Sequence, residues 1–376
     1  MLRYVAAFAL AFSAHAQQVP GLALPPSGNN QKATVIQNIG PVRVTIEYSS
    51  PAVHGPDGKD RRGQIWGKLV PYGLTDLGFG NGKPAPWRAG ANENTVFEVS
   101  DNVLVEGKPL AAGRYGLHMI AGADEWTIIF SHDANAWGSF WYDASHDALR
   151  VNVKPHKHEY REWLTYEFTT RKPAESVAEL QWEELAVPWS IKVDKIEDLY
   201  ISKMKENLTN MQGFGYRGWV AASQYLVGTN SHLDLALEWA EIAVSKQFIG
   251  EANFMTLSNK AMVLQKMGRK DEAKATMDLA IHHRTAGPLD LHQYGRTLLA
   301  AKMNQEAMEV FKLNFERNGD TWPTHVGLAR GYAAGGDSKQ ALEHAKKALT
   351  QAPDQLNRDS LKAMVEALEA GKPISQ

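Results

Sequence analysis

Two regimes of hydrophobic patterning divide the chain. From Thr34 to about Val193 apolar and polar positions exchange at short intervals, and Val42-Arg43-Val44-Thr45-Ile46-Glu47-Tyr48 alternates strictly. That period of two is the mark of a half-buried strand. Runs of similar texture recur at 96–99, 115–120, 126–130, 149–153, 164–168, 177–182 and 187–193, separated by turn clusters such as Gly55-Pro56-Asp57-Gly58 and Ala121-Gly122-Ala123-Asp124. Many short strands with no helical pattern between them predict an antiparallel β-sandwich or barrel over residues 33–193. Eight of the 11 Trp lie between Trp66 and Trp189, which predicts that they fill its core with each indole N–H partnered.

Around Asp194 the period lengthens to 3.6, and a self-match appears at a spacing of 34 residues. Glu272-Ala273, Glu306-Ala307 and Gln340-Ala341 open three amphipathic segments. Twelve residues before each Ala stands another small residue, Ala261, Gly295 and Ala329. Small side chains let two helices cross closely, while Leu264, Leu298, Tyr332, Met277 and Phe311 fill the spaces between repeats. First helices are expected near 254–267, 288–302 and 321–335, and second helices near 270–284, 304–318 and 337–351. A degenerate pair is expected over 216–248, and Gln355–Ala370 reads as a terminal cap. Such units bury their apolar faces only by stacking. The segment 200–372 resembles the tetratricopeptide repeat family, an α-solenoid. The resemblance implies a groove for a peptide or partner protein lined by first helices, with Ser258, Gln265, His292, Arg296 and Arg330 facing it. Arg296 and Arg330, 34 apart, would form a cradle for a carboxylate or acidic segment, in an arrangement that differs from that family's carboxylate clamp.

Composition narrows the function classes. The 40 Lys+Arg nearly balance 42 Asp+Glu, so no overall field recruits nucleic acid or an anionic membrane. Cys is absent, which removes disulfides, thiol nucleophiles and thiolate metal sites. Residues 1–16 carry Arg3, a short apolar run and the small pair Ala14 and Ala16 about His15. This is the pattern of a secretory signal peptide cleaved near Ala16, and it predicts export to a periplasmic or extracellular space. Residues 17–32 are rich in Pro, Gly, Asn and Gln and read as a flexible leader.

Trp87-Arg88-Ala89-Gly90-Ala91-Asn92-Glu93-Asn94-Thr95 sets Arg, Asn, Glu and Thr within a few residues of one another before a predicted strand. With Arg62-Gly63-Gln64-Ile65-Trp66-Gly67, Pro71-Tyr72-Gly73, Ala112-Gly113-Arg114-Tyr115, Trp126–Phe130 and Asp147–Val151 in the same order, it resembles the bacterial family called domain of unknown function 2911. The stretch Leu74–Pro86 reads as a longer loop than that family's. The resemblance implies the β architecture and assigns no activity. On chemistry alone, Arg88 and Glu93 form a charge-assisted pair that either fixes a loop or, with Asn92 and a stacking Trp66 or Trp87, holds a small polar ligand.

Histidines supply the remaining candidates. His118 sits within a predicted strand on the face of Gly116 and Ile120, and becomes an acid/base if it meets Glu93. His132 and Asp133 follow a strand and offer the same chemistry. His156 and His158 are weak metal candidates beside Pro155, where a solvated loop is expected. His282 and His283 are expected to favour a helix C-terminus. No nucleophile elbow, zinc-binding helix pair, P-loop or dinucleotide fingerprint is present, and no cofactor is expected. The reading is an exported binding or scaffold protein, with no membrane span and no nucleic acid. Its β domain would serve a small polar ligand or docking surface, and its helices a protein or peptide. The alternatives are a hydrolase-like or metal-assisted enzyme at Arg88, Glu93 and His118, and carbohydrate binding through exposed Trp.

Overall fold

A computed structural model describes residues 30–76, 78 and 82–374. The expected signal peptide and most of the expected leader lie outside the described residues. Within them the chain forms two compact units, one running to Lys203 and the other from Met204.

The strands of the first unit pair antiparallel. One sheet has the order β1-β2-β3-β6-β7-β8, from β1 (Gln31–Ile39), β2 (Val42–Ser50), β3 (Thr95–Val99), β6 (Gly113–Ile120), β7 (Trp126–Ser131) and β8 (Asp147–Val153). The other has the order β5-β4-β10-β9, from β4 (Val103–Val105), β5 (Lys108–Leu110), β9 (His156–Lys172) and β10 (Glu175–Lys192). The β1–β2 hairpin turns at Gly40-Pro41, where Gly40 takes φ +57°, a value that costs an L side chain and that glycine adopts freely. The alternation seen in the sequence is real: Val42, Val44, Ile46 and Tyr48 face inward along β2. They share one core with Phe97, Leu117, Ile128 and Phe130 from the same sheet and Leu164, Leu180, Trp182 and Ile191 from the other. This is two-layer sandwich packing.

Three sequence expectations change here. Strand β1 begins at Gln31, inside the expected leader. The 177–182 and 187–193 runs are one strand, carried through by a bulge at Glu183 with φ +55°. The segment from His156, expected as a loop, opens β9. Each change has the same cause: partner strands set strand length, and local composition is only one input.

The buried Trp126 and Trp182 and the partly buried Trp66 and Trp87 cluster with ring centroids 5.3–6.4 Å apart, mostly edge to face. The indole N–H groups of Trp66, Trp126, Trp182 and Trp189 have no hydrogen-bond partner, against the expectation that each would find one.

Helix α1 (Ile196–Leu208) follows, with Ile196 and Leu199 against the β core. Then come α2 (Tyr216–Thr229), α3 (Leu233–Ser245), α4 (Phe254–Lys266), α5 (Lys270–His282), α6 (Pro288–Ala300), α7 (Asn304–Asn318), α8 (Trp322–Ala334), α9 (Ser338–Thr350) and α10 (Gln355–Glu369). The helices α2–α9 pack as four hairpins and α10 covers α9, an α-solenoid whose boundaries fall within a few residues of those read from the sequence. The 34-residue period extends to the backbone. Gly268, Lys302 and Gly336 occupy the same place between paired helices, and all have positive φ. Ala261, Ala329, Ala273, Ala307 and Ala341 are buried at the crossings, as expected of small residues there.

Candidate functional site

The segment before β3 is held by its backbone. Trp87 exchanges two backbone hydrogen bonds with Met119 of β6, at 2.9 and 2.8 Å. Ala89 and Asn92 take positive φ, so the chain doubles back on itself. The Ala89 carbonyl accepts from Thr95 Oγ1 at 2.9 Å and from Tyr166 Oη at 2.7 Å, tying this loop to both sheets. Arg88 Nη1 donates to the Asn92 carbonyl, and its guanidinium lies 4.7 Å from the centroid of Phe140. A Cβ at Gly138 would overlap that guanidinium, so the glycine makes the space Arg88 fills. Burial holds the Arg88 pKa below its ordinary value.

Glu93 engages other groups. Its carboxylate accepts from Ser49 Oγ at 3.2 Å and meets Lys32 Nζ at 3.4 Å. The expected Arg88–Glu93 pair is therefore replaced by two separate attachments. Asn92 Oδ1 accepts from Asn30 Nδ2 at 3.1 Å. Trp66 and Trp87 are partly buried against the core cluster, their rings edge to face 6.0 Å apart.

A cleft opens elsewhere in the same unit. Along β6, Tyr115, Leu117 and Met119 point into the core, which leaves Gly116 and His118 on the opposite side. The segment from 131 to 146 folds over that side and encloses a cleft of about 400 Å3 lined by His118, Ser131, Asp133, Asn135, Trp141 and Tyr142 among others. His118 is only 2% exposed, and its Nδ1 lies 2.9 Å from Ser139 Oγ, itself buried. The bare α-carbon of Gly116 leaves room for His118 Nε2, Asn94 Nδ2 and the Asp133 carbonyl to converge. Trp141 is 65% exposed at the rim. On the far wall Tyr142 Oη donates to Asp147 Oδ2 at 2.7 Å and accepts from Arg150 Nη2 at 2.7 Å. Burial and the Asp147 carboxylate push the tyrosine pKa up. Asp133 Oδ2 lies 2.8 Å from His146 Nδ1 and raises that imidazole's pKa, while His132 packs near Tyr115.

The His118 imidazole is pushed down to about 4, first by burial and then by the Arg88 charge, with Asp133 opposing. The native state thus holds a neutral ring that the unfolded chain protonates near pH 6.5. The stability this supplies is complete above about pH 6.5 and is lost as pH falls from there towards 4, by on the order of 3 kcal/mol. Tryptophan fluorescence reports mainly this unit, because eight of the 11 Trp lie in it. Its thermal midpoint is expected to fall across that window, and His118→Asn is expected to flatten the slope.

The other histidine and groove candidates separate clearly. His156 Nε2 lies 3.1 Å from Glu179 Oε2, and His158 Nδ1 lies 2.7 Å from the Glu159 carbonyl. Among the described residues no group of three or more His, Asp or Glu could hold a metal ion. His282 Nδ1 meets the Asp278 carbonyl at 2.9 Å at the end of α5, as expected of a helix C-terminus. On α4, Ser258 Oγ donates to the Met255 carbonyl of its own helix and Gln265 is exposed. His292 and Arg296 stand one turn apart on α6, and Arg330 of the adjoining α8 acts on His292 electrostatically.

Sequence reasoning missed Ser139, Trp141 and Tyr142. They lie in an irregular segment with no periodicity, and only its folding over β6 gives them a common target. Among the described residues no helix is long and apolar enough to cross a membrane. No curated protein matches the chain. The family described as Protein of unknown function (DUF2911) matches residues 30–191, so the β unit, from the start of β1 almost to the end of β10, is similar to that family.

Proposed function

We propose that this is an exported binding protein with two recognition surfaces. The β unit takes a small polar ligand in the cleft beside His118, and the helical unit, an array of tetratricopeptide type, takes a peptide or protein segment. The observation that carries the first part is the cleft itself. An exposed indole at its rim, Trp141, stands with Asp133, Asn135 and the buried His118, a combination of apolar platform and convergent polar groups that suits a polar ring such as a sugar. Trp66 and Trp87 leave this reading, and Trp141 takes the platform role.

The test is a thermal-shift and fluorescence-quenching screen of the full chain with glucose, N-acetylglucosamine, glucuronate and arabinose. At least one is expected to raise the midpoint and quench indole emission, and Trp141→Ala is expected to weaken that binding about tenfold, ~1.4 kcal/mol. If no probe shifts either signal, or if Trp141→Ala binds unchanged, the cleft is not the ligand site.

The Ser139–His118 contact favours a second reading, a hydrolase in which a neutral imidazole activates a hydroxyl at 2.9 Å. In this reading Ser139 stands beside His118 where the sequence offered Glu93, which is held by Lys32 and Ser49. Turnover of p-nitrophenyl acetate that disappears in Ser139→Ala would favour it over simple binding.

A further inference from the structure

Helices α8 and α9 meet through a pair of histidines. His325, in the first turns of α8, is fully buried, and its Nδ1 lies 2.8 Å from Nδ1 of His344 on α9. His325 Nε2 lies 2.5 Å from Asp320 Oδ1, which also accepts from Gln351 Nε2 at 2.7 Å. These contacts, the Gln351 amide first and the imidazole second, hold the Asp320 carboxyl below its ordinary pKa. A carboxylate only accepts, so Nε2 of His325 carries the hydrogen. In the neutral ring Nδ1 is then a lone pair, and the hydrogen between the two rings belongs to His344 Nδ1. One chain of donors runs from His344 through His325 to Asp320, and it fixes both tautomers.

That chain accommodates one added proton and no second. The first takes His344 Nε2, the ring nitrogen outside the chain, and leaves Nδ1–H donating to His325. The second has only His325 Nδ1 left, and it would set N–H against N–H at 2.8 Å between two cations. Burial and then His325 push the His344 pKa below its ordinary value; Lys347 of α9 adds to this, while Glu343 of α9 and Asp320 oppose it. The other rings facing the pair are uncharged. Phe315 of α7 lies 5.4 Å from His325 and 6.3 Å from His344, and Tyr332 of α8 stacks on His344 at 5.5 Å with planes 10° apart. A histidine whose pKa is lower in the folded than in the unfolded state supplies stability that is complete above about pH 6.5 and is lost as pH falls from there.

The apolar side of this crossing is thin. The buried residues that α8 and α9 give to their shared cluster are Val326, Ala329, Ala341, Ala345 and Ala348, small side chains that each remove little apolar area from water. A polar pair at the same crossing therefore carries a large share of the attachment. We propose that His325 and His344 form a proton-operated latch, which holds α8 against α9 while the pair carries no more than one proton and releases them when it carries two. On opening, each ring is free to hold a proton taken from solvent, and no covalent bond changes. The latch concerns the α8–α9 hairpin alone and stands apart from the ligand readings given above.

Hydrogen–deuterium exchange on the full chain tests the latch, read on fragments within 322–350 and corrected for the intrinsic effect of pH. Opening of α8 and α9 is expected to become about tenfold more frequent between pH 6.5 and pH 5.0, because the open state binds a proton that the closed state excludes. His344→Gln keeps a donor for His325 Nδ1 and cannot be charged, so it is expected to flatten that response. His118→Asn, in the β unit, is expected to leave it untouched. Nitrogen-15 spectra of the imidazoles at pH 7.5 need no variant, and are expected to show His344 as the Nδ1–H tautomer and His325 as the Nε2–H tautomer. These two measurements on the natural chain decide the matter even if His344→Gln does not fold. Exchange in 322–350 that is the same at both pH values, a response that survives His344→Gln, or His344 in the Nε2–H form would overturn the proposal.

Discussion

Phe311→Ala is expected to destabilise the helical unit by about 3–5 kcal/mol, the cost of a large cavity in a packed core. For a unit of this size that is a fall of about 6–20 °C in its thermal midpoint, followed by far-ultraviolet circular dichroism, which the helices dominate. The ring is fully buried on α7 and is received by glycines on both neighbouring helices. A Cβ at Gly295 of α6 would lie 2.6 Å from Phe311 Cζ, one at Gly327 of α8 2.6 Å from Cδ1, and one at Gly331 3.0 Å from Cδ2. Gly295→Ala is therefore a decisive companion. Helix propensity alone favours alanine by about 1 kcal/mol. Overpacking against the ring costs about 1–3 kcal/mol, so the net effect is expected to be destabilising. Phe311→Leu in the Gly295→Ala background is expected to recover part of the loss, because the two sites share one space. A stabilising Gly295→Ala would mean that the ring does not sit in this crossing.

Arg88→Ala is expected to cost the β unit about 2–4 kcal/mol, while Glu93→Gln stays within about 1 kcal/mol. The asymmetry follows from the separate attachments. Arg88 loses the bond to the Asn92 carbonyl, the ring contact with Phe140 and the packing into the space left by Gly138. Removing it leaves a buried acceptor and a void together. Glu93 is half-exposed, and its pair with the exposed Lys32 is of the kind that contributes little. The amide keeps an acceptor for Ser49. Urea unfolding followed by tryptophan fluorescence checks both, and equal losses in the two variants would restore a direct Arg88–Glu93 coupling. The same substitution bears on His118. Removing the Arg88 charge takes away one of the two influences that depress the imidazole's pKa, so the acid-sensitive window is expected to narrow towards pH 6.5.

The architecture was legible because it is written in short-range periodicity. A period of two marked β2, short apolar runs between turn signals marked β3 and β7, and the change near Asp194 together with a 34-residue self-match placed the helices from α4 to α10. Burying one face of a repeating element requires apolar residues at fixed intervals, so the intervals reveal the element. Small residues at the helix crossings were legible for a similar reason, since only they permit the approach. By itself, then, the sequence determined the order of units, the hairpin stacking of the helices and the placement of Arg296 and Arg330 in equivalent positions. Tertiary structure alone decided that Arg88 and Glu93 take different partners, that Trp66 and Trp87 pack against Trp126 and Trp182, and that residues 131–146 fold over His118 to make a cleft. It also decided that His292 lies buried beside both arginines. Those outcomes depend on which side chains from distant segments compete for the same acceptor or space, and no local interval encodes that competition.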